Sequence, residues 1–95
     1  MRHALHHGVF LREAGSDAPA PSVLWIHGLG ESGLCFEQLC RHPALESWPC
    51  LVPDLPGYGR SGQPRRAYSL PFFQQAMLEL LDALEIERAT LVPAA

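Results

Sequence analysis

The chain has 95 residues, 47% of them hydrophobic and 18% charged, and a formal net charge of -3. That length allows one domain at most and falls short of the ~100–150 residues of a typical fold, while the composition excludes wholesale disorder. The mild acidity gives no electrostatic case for nucleic acid or an anionic membrane as a partner.

The first twelve residues lack an apolar core of signal-peptide length, and no later run is long enough to span a bilayer. Val9, Phe10 and Leu11 lie in a segment, Leu5 to Glu13, that can supply one or two short strands. Residues 14–22 are dense in chain breakers and read as a loop. Val23-Leu24-Trp25-Ile26 is then apolar without alternation, which suits a strand buried on both faces of a parallel sheet.

A glycine-rich turn, Gly28 to Gly33, opens a helix over Leu34 to Arg41 that places Leu34, Cys35, Gln38 and Leu39 at helical spacing and that Pro43 limits. Pro49 to Val52 reads as a second buried strand, closed by Pro53 and Asp54. A loop rich in Gly, Pro and Arg follows. Ser69 has the position of an N-cap, with Pro71 tolerated in the first helical turn. Phe73, Met77, Leu80, Leu81 and Leu84 then form one apolar helical stripe. Ala89 to Val92 reads as a third strand. Strands alternating with helices predict an α/β fold with a parallel sheet and right-handed crossovers.

Cys35, Cys40 and Cys50 are an odd number without CxxC spacing. Neither a disulfide framework nor a zinc site is indicated, and a reducing, cytoplasmic setting is expected. His3, His6, His7 and His42 form no metal-ligand constellation, and the pair His6-His7 is expected to be solvated in a terminal strand.

The turn after the first buried strand supports two readings. Gly28-Leu29-Gly30-Glu31-Ser32-Gly33 satisfies G-x-G-x-x-G, and Asp54 ends the next strand about twenty residues on. That spacing is a dinucleotide-binding fingerprint, in which glycines let the backbone approach a pyrophosphate and the acid takes a ribose hydroxyl. Against it, His27 stands where a small or apolar residue tightens such a loop. The sequence after Asp54, Leu55-Pro56-Gly57-Tyr58-Gly59-Arg60-Ser61, has no role in nucleotide binding.

That same stretch carries a family resemblance. Trp25-Ile26-His27-Gly28-Leu29-Gly30 resembles the strand-then-His-Gly segment of α/β-hydrolases, and Asp54 to Ser61 is similar to their D-x-P-G-x-G-x-S loop. The resemblance runs from about Val9 to Val92. It implies an incomplete α/β-hydrolase fold, a mostly parallel sheet with flanking helices, residues 1–95 being the amino-terminal portion of the domain. It implies that the backbone N–H of Leu29 is an oxyanion-hole donor, held ready by a rigid turn. Gly28 and Gly30 permit that turn. His27 braces it, while Asp54, Gly57, Gly59 and Ser61 structure the second loop. No cofactor and no metal are implied.

Ser61 is not read as a nucleophile, because Gly59-Arg60-Ser61-Gly62-Gln63 fails G-x-S-x-G at its last position. The family's nucleophile follows the strand that here is Ala89 to Val92, and nucleophile, triad acid and triad histidine are absent from these 95 residues. The expectation is therefore a truncated hydrolase whose full-length form cleaves an ester or related bond of a small molecule. Held beside it are a non-catalytic fragment serving as an interaction piece and a dinucleotide-binding module. The open edge of an unfinished sheet predicts marginal stability for the chain alone.

Overall fold

A computed structural model describes residues 2–15, 22–28, 32–45, 47–62 and 69–93. Strands β1 (Arg2–His6) and β2 (Val9–Ala14) come first, followed by β3 (Ser22–Ile26), helix α1 (Leu34–Cys40), a 3-10 turn (Pro43–Leu45), β4 (Cys50–Pro53), helix α2 (Leu70–Ala83) and β5 (Ala89–Pro93). One sheet contains all five strands in the order β1-β2-β4-β3-β5. β3 runs parallel to β4 and to β5, as the strand–helix alternation predicts. The amino-terminal hairpin adds two antiparallel pairings, β1 with β2 and β2 with β4, so the sheet is mixed.

The hairpin turns on two residues, His7 and Gly8, with φ of 50° and 83°. Positive φ at both central positions is the type I′ geometry, whose twist matches the strands it joins. His6 thus ends β1, whereas His7 sits exposed in the turn and not in a strand.

Both sheet faces are covered, which explains why β3 and β4 show no polar alternation. Leu24 and Leu51 point to one face and pack with Val9, Leu11, Leu55 and the α2 residues Phe73, Met77 and Leu80. Val23, Trp25 and Val52 point to the other, where Cys40 and Phe36 of α1 cover them. The crossover from β3 to β4 and that from β4 to β5 run in opposite directions across the sheet. Right-handed connections therefore deliver α1 and α2 to opposite faces.

Ser69 caps α2 by accepting the Phe72 N–H at 3.2 Å. In α1 the buried side is not the Leu34-Cys35-Gln38-Leu39 row of the sequence pattern. Leu34 and Leu39 are exposed, and the helix seats Phe36 against Trp25, ring centroids 5.3 Å apart.

The chain passes from β3 to β4 on one side and then to β5 on the other, so the strand order reverses between β3 and β5, and the carboxyl end of the sheet beside β3 is the place where α/β sheets bind ligands. His27 follows β3 and Asp54 follows β4. At the far side, β5 is an edge strand without a charged side chain, and its Leu91 is 63% exposed. Position in the sheet decides what each leucine contributes. Leu11→Ala, at a fully buried site, should lower unfolding free energy by ~2–4 kcal/mol; Leu91→Ala should stay within ~0.5 kcal/mol. Urea denaturation followed by tryptophan fluorescence measures both.

A buried carboxylate joins the loops after β3 and β4

At the end of β3 the His27 ring is almost sealed, 3% exposed. Its Nε2 lies 2.9 Å from the Leu55 backbone nitrogen and its Nδ1 2.8 Å from the Gly28 carbonyl oxygen. A backbone N–H only donates, so Nε2 is the acceptor and the proton sits on Nδ1, donated to Gly28. Both nitrogens are spent, and none remains for proton transfer to a substrate. Tyr58 packs edge-on against the ring at 5.6 Å and in turn meets Phe73.

At the end of β4, Asp54 is fully buried. Its Oδ1 accepts from the Gly33 N–H at 2.6 Å and from Arg12 Nη1 at 2.6 Å, while its Oδ2 accepts from the Arg60 N–H at 2.8 Å. Gly33 introduces α1 and Arg60 belongs to the loop after β4, so one carboxylate ties both loops. Burial on its own raises the Asp54 carboxyl. The Arg12 hydrogen bond, the Arg60 and Gly33 amides and the Arg12 charge outweigh it and hold the group below its ordinary value of 3.8.

Ser61 completes the second loop. Its hydroxyl donates to the Asp54 carbonyl and accepts from the Phe10 N–H at 2.8 Å. Both roles are local to the turn, at no strand-to-helix elbow. Gly57 and Gly59 carry positive φ of 87° and 52°. At Gly59 a side chain is barred twice over, because a Cβ there would also collide with the Asp54 carboxylate. Gly33 is equally confined, since a Cβ would lie 2.8 Å from Arg12 Nη1 and 2.8 Å from Val52.

The structure thus gathers His27, Gly28, Asp54, Gly57, Gly59 and Ser61 at one end of the sheet. Leu29 and Gly30 lie outside the described residues. Asp54 does not face open space as a ribose-binding acid must: it is buried and both its oxygens are engaged, which removes the acid from the dinucleotide reading.

Arg12 is the member of this cluster that sequence reasoning missed. It is 4% exposed, its Nε stands 3.4 Å from Glu37, and its guanidinium carbon lies 4.9 Å from the Phe10 ring centroid. A cation within a strand whose neighbours are apolar, in a chain with an acid closing another strand, was the available signal. Beside His27 and Gly28 runs an open apolar groove of about 570 Å³, floored by Leu24 and Ile26 and walled by Phe73 and Met77.

Removing one partner of a buried ion pair strands the other charge. Asp54→Asn should therefore cost ~3–5 kcal/mol of unfolding free energy. The Asp54 carboxyl titrates lower in the folded chain than unfolded, so its contribution is complete above the unfolded value of 3.8 and is lost as pH falls through the folded value below it. Acid titrations followed by circular dichroism should show this loss in the parent chain and its absence in Asp54→Asn. Gly59→Ala, which must strain φ and displace the carboxylate, should cost roughly 1–3 kcal/mol in the same denaturation experiment.

Residues 21–92 match the family described as alpha/beta hydrolase fold. The chain is 38% identical over 80 residues to a haloalkane dehalogenase of Mesorhizobium japonicum, covering 84% of this chain and 25% of that protein. It is 34% identical over 74 residues to an epoxide hydrolase of Caballeronia sordidicola, covering 76% of this chain and 22% of the relative. Among solved structures, the N-acyl homoserine lactonase AidH complexed with N-butanoyl homoserine superposes with a TM-score of 0.84 at 30% identity, over 96% of this chain and 35% of the lactonase. The chain spans about a quarter of the length of the curated relatives it matches. With the match covering both loops and every element from β3 to β5, the chain belongs to the α/β-hydrolase family.

Proposed function

We propose that residues 1–95 form the oxyanion-side portion of a hydrolase domain, whose longer form cleaves an ester or related bond in a small molecule. The observation that carries this reading is the Asp54 carboxylate, which binds the Gly33 and Arg60 amides and so locks together the loops that follow β3 and β4. A donor amide accelerates acyl transfer only if it is aimed before the reaction begins, and the described residues on either side of Leu29, Gly28 and Gly33, are both held by hydrogen bonds. In this reading Leu29 supplies the backbone N–H, Gly28 and Gly30 let the turn form, and His27 fixes the Gly28 carbonyl. Asp54, Gly57, Gly59 and Ser61 shape the facing loop.

The relatives are named for a haloalkane, an epoxide and an N-acyl homoserine lactone. These names support a small-molecule substrate and leave the bond type open. Three free cysteines support a reducing, cytoplasmic location, and among the described residues no helix is long and apolar enough to cross a membrane.

The sequence contains no Gly-x-Ser-x-Gly. Residues 1–95 alone should therefore take no label from a fluorophosphonate probe, and a labelled chain would overturn the assignment of the nucleophile to a later segment. In a longer form bearing that segment, Leu29→Pro deletes the donor and should lower kcat/KM by ~10²–10³-fold. Leu29→Ala keeps the amide and should change it little. Equal losses in both variants would rule out a backbone role.

A further inference from the structure

Cys40 and Cys50 are hydrogen-bonded side chain to side chain in the core between α1 and the sheet, and neither takes part in the site described above. Cys40 ends α1 and Cys50 opens β4. They share one buried cluster with Val23, Trp25 and Val52, at 4% and 1% exposure. Cys50 is pinned by its backbone, which pairs with Ala14 on one side and Val23 on the other. Its thiol donates to the Trp48 carbonyl at 3.6 Å. Both thiols are free.

We infer that Cys40 and Cys50 form a redox-sensitive latch: a small-molecule disulfide oxidises them to an intrachain disulfide that fastens the end of α1 to β4. The connection closes a short loop, and the two side chains already meet in one buried cluster, thiol to thiol. In the oxidised chain α1 would be held at both ends, by the Gly33 amide on Asp54 at its start and by the disulfide at its finish. The latch therefore acts on the helix that the turn after β3 leads into. It does not depend on the hydrolase reading.

With glutathione disulfide as oxidant, one protein thiolate attacks a glutathione sulfur and releases a glutathione thiolate. The second protein thiolate then attacks the protein sulfur of that mixed disulfide and releases the other glutathione. Two cysteine thiols become one disulfide, one glutathione disulfide becomes two thiols, and the cysteine protons end on glutathione. The thiolate is the reacting form. Burial first, and then the neighbouring Cys50, push the Cys40 thiol up to about 12. Exchange is therefore expected to be slow while α1 is seated and to proceed when α1 lifts from the sheet.

The test uses the 95-residue chain carrying Cys35→Ser, which removes the exposed thiol. Incubation with glutathione disulfide should remove the mass of two hydrogen atoms without a glutathione adduct. Trypsin should then release residues 13–41 linked to residues 42–60. The thermal midpoint should rise on the order of 10 °C, the scale for closing a short loop in a domain of this size, and dithiothreitol should reverse the shift. In a chain that also carries Cys50→Ala, the midpoint should not respond to oxidant. Glutathione adducts without the linked peptides, or linked peptides with an unchanged or lower midpoint, would overturn the proposal.

Discussion

The ion pair between Arg12 and Asp54 lies where three segments converge: strand β2, the start of α1 and the loop after β4. Removing each charge from water costs several kcal/mol, and the mutual attraction recovers this only if the remaining lone pairs and protons are also used. Here they are used. Asp54 accepts two backbone amides besides the guanidinium, and Arg12 leans on Glu37 and the Phe10 ring. Because a buried charge cannot be left half satisfied, the three segments have little freedom to move independently.

This constraint reaches the backbone. Gly33 and Gly59 approach the carboxylate so closely that neither position has room for a Cβ. Ser61 extends the network to Phe10, and Gly62 donates to the Gly8 carbonyl at 2.8 Å. The antiparallel hairpin is thus more than an edge of the sheet. It carries Arg12 and Phe10 to the carboxyl end of β4, where they hold Asp54 and Ser61 of the second loop.

In the proposed function, the same network acts as a frame for a single donor amide. Preorganisation of this kind needs rigidity on both sides of the turn. β3 supplies one side, through its parallel pairing with β4 and β5, and Asp54 supplies the other through the Gly33 amide. His27 adds a bond between the segments after β3 and β4, joining Gly28 to Leu55.

Much of the fold was legible in local sequence. Continuous apolar runs marked β3 and β4, since strands buried on both faces need no alternation, and Ser69, Pro71 and a stripe at helical spacing marked α2. Two linked motifs identified the family, because each requires glycines at fixed offsets for a turn. Other features were not legible. The buried side of α1 was misread because its apolar residues surround the helix, and only contact with Trp25 selects Phe36 and Cys40. Arg12 gave no local sign of its partner, since a separation of 42 positions from Asp54 carries no spacing rule. Local patterns encode turns and periodicity, so the sequence alone determined the elements and the family. Ion pairing and burial depend on which distant segments the sheet order makes neighbours, and only the tertiary structure decided that Arg12 and Asp54 meet.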